Sequence, residues 1–430
     1  MPTTAELKQQ MEGGLFDAAF ANLYGPGEER ALAQRSRYAK ALQAFEEIYG
    51  GGRQAAIYSA PGRTEIGGNH TDHNHGIVMA AAVNLDIIAV VAQNSDNCIR
   101  VHSQGFGTPD VVELASLEPN KQEFGRSSAL IRGVAAAIKQ RGGVVGGFDA
   151  YTTNDVLRGS GLSSSAAFEV CMAAVLNGEY NKGRFTPVEL GIIGQYAENK
   201  FFGKPSGLMD QTASAVGSAI TIDFKNPENP VVEKIPFDLA GAGYQLVITD
   251  TKGSHAGLTD EYAAIRQEME SVAKLFGGKV LRDVDRETFM AQIPMVRKAV
   301  GDRAVLRSIH FYEECRRAPL LAGAAGSGNF ALFLKLILEG GKSSFEYNQN
   351  AYSVHKPAEQ GVSLGLALSQ LVLEGSGAWR LQGGGFAGTI QAFVPNHLLG
   401  EYCSTLTKVF GGDACYVLSV RGPGAVKVLP

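Results

Sequence analysis

The sequence predicts an α+β protein of two domains, on three observations. At 430 residues the chain is longer than one hydrophobic core usually serves. Both halves mix β-branched apolar runs with stretches of helical periodicity. The 53 glycines follow no repeat period and gather instead in a few loops. A residue without Cβ lets backbone N–H groups come close to a ligand, so those loops direct the search for a site.

Residues 1–50 read as helices: LFDAAFANLY, then RALAQRSRYAKALQAFEEIYG, closing on Gly50-Gly51. AAIYSAPGR reads as a short strand running into a Pro-Gly turn. GIVMAAAVNLDIIAVVAQ is apolar and β-branched in two short runs, so it reads as two strands interrupted at Asn84-Leu85-Asp86. FDAYTTNDV alternates like a strand. RGSGLSSSAAFEVCMAAVLNGEY begins as a loop and becomes a helix, and LGIIGQYAENKFFG is a further helix stopped by Gly203 and Pro205. AITIDF is a strand, and KNPENPVVEK reads as a charged connector at which the chain divides into residues 1–230 and 231–430. Beyond it come a strand (YQLVITDT), a helix (TDEYAAIRQEMESVAKLFGG) and a mostly helical stretch over 295–375. A strand–glycine turn–strand unit, GAWRLQGGGFAGTIQAFVP, follows.

Composition excludes several classes. Hydrophobic residues make up 45% and charged residues 19%, with a formal net charge of −4. That is globular, and without a Lys/Arg block no nucleic-acid partner is expected. No run of eighteen apolar residues marks a membrane span, and MPTTAELKQQMEGG lacks the basic and apolar regions of a secretory signal. The five cysteines, Cys98, Cys171, Cys315, Cys403 and Cys415, are odd in number and irregular in spacing. They read as free thiols in a reducing cytosol, so the expected location is cytoplasmic.

Four constellations carry chemistry. In Arg158-Gly-Ser-Gly-Leu-Ser-Ser-Ser-Ala-Ala a glycine-rich loop opens a helix. Helix N-termini present unpaired N–H donors and a positive partial charge, which suit a triphosphate. A Ser-capped helix after an ordinary loop explains the same residues; a Walker A loop does not, since no GK[ST] follows, and neither does a dinucleotide fingerprint. The second stretch, residues 61–74, packs Arg63, His70, Asp72, His73 and Asn74 between two apolar runs. Carboxylate, imidazole and amide groups together suit sugar hydroxyls, each both donor and acceptor; a His/Asp metal site and a solvated loop are the competing readings. Third, Glu198 and Asp210 lie twelve positions apart across a helix break. Read alone, two acids so spaced are more simply surface residues; near a phosphate loop they suit one Mg²⁺ ligand and one group beside an accepting hydroxyl. Fourth, Gly383-Gly-Gly-Phe-Ala-Gly is a glycine turn, equally explained as a tight hairpin.

Taken in order, these stretches resemble the GHMP kinases, and most closely galactokinases. Residues 62–74 are similar to the signature G-R-x-N-x-I-G-E-H-T-D-Y-N, GSGLSSSAA to the family's phosphate motif, GLMDQ at 207–211 to G-[IL]-M-D-Q, and GGGFAG to the third motif. Ser254-His255 with Asp260-Glu261-Tyr262 resembles the segment around H-S-x-x-x-S-E-Y. The resemblance runs from about residue 58 to 395. It implies a GHMP fold: an N-terminal α/β domain like the second domain of ribosomal protein S5, a C-terminal ferredoxin-like α+β domain, and the site in the cleft between. It further implies ATP and Mg²⁺, a small sugar as acceptor, no membrane partner, and a monomer or weak homo-oligomer. By this likeness Asp210 sits against the anomeric hydroxyl with Arg63 beside it. Asn69, His70, Asp72, Gly207 and Tyr262 hold the sugar. Gly159, Ser160, Gly161, Leu162, Ser163, Ser164 and Ser165 wrap the phosphates, while Ser164 and Glu198 hold Mg²⁺.

Departures bear on the sugar. The signature's Glu is Asn69 here, its Tyr is His73 and its first Asn is Glu65; in the third motif Ala387 replaces Gly. In galactokinases that Glu contacts the 6-hydroxyl. An uncharged residue there removes repulsion against an anionic C6 group, so a galactose modified at C6 or C2, such as galacturonate or an amino-galactose, is the alternative to galactose. A sugar sensor that binds without catalysis is the competing class. That role accompanies damage to the phosphate loop, whereas here the serines, Ala166-Ala167, Glu198 and Asp210 all persist.

Overall fold

The computed structural model describes residues 1–156, 161–254 and 256–430. Helices α1 (Thr4–Glu12), α2 (Asp17–Tyr24) and α3 (Glu28–Tyr49) lead the chain. Their apolar faces, with Phe16, Phe20, Tyr38 and Phe45, share a core with Ile57, Ile88 and Val90 of the first two strands. Those strands, β1 (Ala56–Gly67) and β2 (Ile77–Gln93), pair antiparallel along almost their whole length. Next come β3 (Cys98–Ser103), β4 (Asp110–Glu113), α4 (Ser127–Gln140), β5 (Phe148–Asn154), α5 (Ser164–Tyr180), α6 (Pro187–Ala197), α7 (Met209–Val216), β6 (Ala219–Asp223) and β7 (Val231–Ile235). The second half holds β8 (Tyr244–Asp250), α8 (Thr259–Leu275), α9 (Arg286–Ala291), α10 (Ile293–Val300), α11 (Asp302–Gly326), α12 (Phe330–Ser343), α13 (Gly361–Leu373), β9 (Ala378–Leu381), β10 (Thr389–Pro395), α14 (Leu399–Phe410), β11 (Cys415–Leu418) and β12 (Val426–Lys427).

The first sheet has the order β12–β1–β2–β5–β3–β4; β6 pairs the early part of β2, and β7 pairs β6. The second sheet is antiparallel in the order β11–β8–β10–β9, the 4-1-3-2 order of a ferredoxin-like unit. The expected α+β architecture is present in both halves. Helix α11 lies between them, against β1, β2 and β6 on one side and α8 and α12 on the other. No described helix is long and apolar enough to cross a membrane, and the five cysteines are unpaired.

Three local expectations change. The Pro61-Gly62 step is not a turn: β1 runs through it with register shifts between Pro61 and Arg63 and between Glu65 and Gly67. A proline lacks an N–H for the ladder, and a bulge absorbs that while keeping the strand whole. β2 is one strand, because its mid-strand polar groups are satisfied. Asn84 exchanges bonds with Ser419 (N→O 3.1 Å; Ser419 N→Oδ1 2.9 Å), and Asp86 is ion-paired. The end of the connector, from Val231 on, belongs to strand β7, which pairs β6. The C-terminal β12 also returns to that sheet, beside β1.

Candidate active site

Arg63 sits between the two bulges of β1 and is only 5% exposed. Its guanidinium grips Asp210 bidentately, Nε to Oδ1 at 2.7 Å and Nη2 to Oδ2 at 2.6 Å. The same head donates to the Gly161 carbonyl and to Ser163 Oγ at 3.2 Å, and Ser163 in turn donates to Asp210. Asp210 lies in the first turn of α7, where the helix dipole favours a negative charge. Burial works against that charge, yet the Arg63 guanidinium and the Ser163 hydroxyl hold its carboxyl below the usual range. The Asp210 side chain is still 27% exposed.

The loop before α5 is shaped by this pair. Gly161 adopts φ 69°, a left-handed conformation natural to glycine. The buried Leu162 accepts the Arg63 N–H at 3.0 Å through its carbonyl. Ser163 caps α5 at φ 58° with no side-chain bond into the helix, because its hydroxyl is turned to Asp210. Ser164 is the first residue of α5. The hydroxyl of the next residue, Ser165, donates to Glu198 at 3.2 Å. Gly159 and Ser160 lie outside the described residues.

Glu198 opens a π-helical turn, Glu198–Phe202, that ends α6; such turns recur at functional sites. Its carboxylate takes the Lys204 ammonium at 2.9 Å and the Gln211 amide at 2.8 Å. Gln211 also donates to Glu169 at 3.0 Å. Burial, with the Glu198 charge nearby, pushes the Glu169 carboxyl well above its usual range. Beside the start of α5 opens a cleft of about 980 Å³, lined by Ser164, Ser165, Phe168, Phe106, Phe202 and Asn154 among others.

The polar stretch after β1 closes the site. A Cβ at Gly207 would stand 1.7 Å from Asp72 Oδ2, so only glycine allows that carboxylate its place. Burial, then the charge of Asp210, pushes Asp72 up to about 6. His70 (φ 57°) contacts the Gly384 carbonyl through Nε2 at 2.9 Å, and burial lowers it to about 4, leaving a neutral imidazole. His73 turns Nδ1 to the Asn74 amide at 3.0 Å, so the two imidazoles serve different partners. Among the described residues no cluster of three His, Cys, Asp or Glu is placed to hold a metal. Tyr262 donates to the Gly385 carbonyl at 3.0 Å and packs edge-on to Phe386. Asn69 is fully buried and surrounded by protein partners.

The structure therefore unites Arg63, Asp210, Gly161, Ser163, Asp72 and Gly207. His70 and Tyr262 meet at the glycine turn, while Asn69 lies behind the cleft surface. Sequence reasoning missed Gln211 and Lys204 on Glu198, the aromatic cleft, and α11. That helix presents Glu314 to the amides of Gly68 (2.8 Å) and Asn69 (3.3 Å), and His310 to the Asn69 carbonyl (2.9 Å). The i, i+4 spacing of His310 and Glu314 is a helical-face signal, but nothing in sequence says which loop it meets.

Residues 129–218 match the family model for the GHMP kinases N terminal domain. The fold is shared with Methanococcus jannaschii mevalonate kinase (TM-score 0.58, 14% identity, covering 85% of this chain and 98% of that one). Fold and site together define a kinase of the GHMP class. Residues 43–93 match the galactokinase galactose-binding signature. Galactokinase of Streptomyces coelicolor is 32% identical over 357 residues, spanning 81% of this chain and 87% of that protein. That of Actinobacillus pleuropneumoniae is 32% identical over 83% and 89%. The crystal structure of Lactococcus lactis galactokinase complexed with galactose superposes with a TM-score of 0.76 at 23% identity, covering 91% of this chain and 100% of that one. The chain belongs to the galactokinase family.

Proposed function

We propose that this protein is an ATP-dependent galactokinase, moving the γ-phosphoryl group of ATP to the 1-hydroxyl of α-D-galactose. The observation that carries the reading is the bidentate Arg63–Asp210 pair, tied through Ser163 and Gly161 to the loop that opens α5. Asp210, kept ionised, faces the anomeric hydroxyl and accepts or orients its proton. Arg63 offsets charge as the phosphoryl group moves. Such a transfer needs placement and charge neutralisation more than covalent help from the protein. His70, Asp72, Gly207 and Tyr262 hold the sugar. The 159–165 segment and the α5 amides hold the phosphates, and the cleft with Phe106, Phe168 and Phe202 takes the base. We place the enzyme in the cytoplasm, as a monomer or weak homo-oligomer without nucleic-acid or membrane partners.

Glu198 with a serine of the 163–165 run suits Mg²⁺. The donors are all oxygens, and Glu198 already carries a cation, the Lys204 ammonium at 2.9 Å. When bound, Mg²⁺ neutralises charge on the β- and γ-phosphates. A coupled ADP assay across galactose, galacturonate and 2-amino-galactose tests the reading: galactose is the best acceptor. Galacturonate turning over more than tenfold faster would reverse the ranking, and sugar binding without ADP release would make the protein a sensor.

A further inference from the structure

Three consecutive carbonyls of the glycine turn are each held by a side chain. Asn69 Nδ2 donates to Gly383 O at 2.7 Å. His70 Nε2 and Asn350 Nδ2 meet Gly384 O at 2.9 and 3.0 Å. Tyr262 donates to Gly385 O at 3.0 Å. Asn350 closes the circuit: its Nδ2 also donates to Asn69 Oδ1 at 2.9 Å, and its carbonyl accepts the Phe386 N–H at 2.5 Å. The turn sits against the phosphate loop, since a Cβ at Gly383 would lie 3.9 Å from the Gly161 carbonyl, the group that receives Arg63.

The identity of residue 69 follows from its neighbours. Its amide nitrogen faces only acceptors: Gly383 O and both carboxylate oxygens of Glu65, at 3.0 and 3.3 Å. Glu65 is buried and paired with Arg380 at 2.8 Å. A carboxylate at 69 would set two buried acids and a carbonyl against one another, with only a shared proton to serve as donor among them. The Asn and Glu of the family signature are thus exchanged within one hydrogen-bonded pair.

We propose that Asn69 is a positioning residue. With Asn350 it latches the glycine turn 383–385 to the sugar loop, and so sets Gly161 and Arg63 without reading the sugar. This rests on the galactokinase reading for its kinetic test. Galactose and 6-deoxygalactose are compared in the full-length enzyme and in Asn69→Ala, Asn350→Ala and the double variant, with thermal midpoints to verify folding. Losing these buried bonds lowers kcat roughly tenfold in each single variant. KM for galactose stays within about twofold, and the galactose to 6-deoxygalactose ratio of kcat/KM is unchanged. The double variant is no worse than the poorer single, as expected of one shared latch. Asn69→Asp, close in size, falls further than Asn69→Ala; Asn69→Ser replaces the alanine should that variant not fold. A tenfold change in the sugar ratio would make Asn69 a sugar contact and overturn the proposal, as would losses that multiply in the double variant. If the parent enzyme does not phosphorylate galactose, the function fails on its own. The latch is then read from ADP affinity by calorimetry, expected to weaken a few-fold in Asn69→Ala and Asn350→Ala alike; unchanged affinity in both would overturn it.

Discussion

Two aspartate–arginine pairs, one fully buried and one partly open to solvent, lie on the β1–β2 side of this molecule, and they have opposite meanings. Asp86 in β2 has no exposed surface. It accepts from Tyr24 (2.7 Å), Arg37 (2.7 Å), Arg421 (2.8 Å) and Ser59, so α2, α3, β1 and the C-terminal segment fill its carboxylate. Asp210 accepts from Arg63 and Ser163, and 27% of its side chain still meets solvent. Burial opposes the charge of both, and arginine holds both below the ordinary range. A lowered carboxyl beside an arginine is therefore no mark of a site. What separates them is access: each has a second, raised acid nearby, Asp155 beside Asp86 and Asp72 beside Asp210, but of the two only Asp210 meets solvent, at a helix start whose cap residue turns its hydroxyl to it.

Exchanging each aspartate for asparagine tests the contrast. Asp210→Asn removes charge and keeps shape, so turnover falls about 10³-fold, in the range of a lost acid–base or electrostatic group. The buried Arg63 loses its carboxylate partner, so the denaturation midpoint falls too, but by less than in the Asp86 variant because 27% of the Asp210 side chain meets solvent. Unchanged kcat would remove Asp210 from the mechanism. Asp86→Asn leaves Arg421 and Arg37 under-compensated in the interior, which destabilises by about 3–5 kcal/mol. Urea unfolding measures it, while kcat per folded molecule stays within about threefold. Equal damage to turnover in both variants would erase the distinction.

Sequence made the charged chemistry of one pair legible and hid the other. Arg63 and Asp210 stand in recognisable motifs. In sequence Asp86 is only a polar interruption in an apolar run, the mark of a strand break, because its partners, Arg37 and Arg421, are far along the chain. The same limit applies elsewhere. Strand periodicity found β5, β6, β8 and β10, but pairing to a distant strand is what makes β7 a strand. Residue 69 could be matched to a motif, whereas its burial depends on Asn350 and Gly383, which only the fold brings there.

Asp72 sharpens the comparison through pH. Its folded pKa, about 6, lies above the ordinary 3.8. The native state therefore binds the proton more tightly than the unfolded chain, and stability from this group falls as pH rises from about 4 to 6. Asp210, shifted downward, has the opposite sign and loses stability on acidification. Asp72→Asn removes the first penalty. The variant is expected to be more stable than the parent at pH 8 by about 1–2 kcal/mol, with the gain gone at pH 4. KM for galactose rises at the same time. A gain independent of pH would show that Asp72 is ionised throughout.

The smallest effect separates two adjacent serines beside the same charged cluster. Ser165 donates to Glu198 at 3.2 Å, while Ser164 only opens the helix. Ser165→Ala removes one hydroxyl oxygen from the Glu198 cluster, about 1 kcal/mol, so the Mg²⁺ concentration for half-maximal rate rises a few-fold. Ser164→Ala leaves it within about twofold. The reverse order would assign the metal-binding hydroxyl to Ser164, and would mean that Ser165, like the partners of Asp86, serves only to satisfy a buried carboxylate.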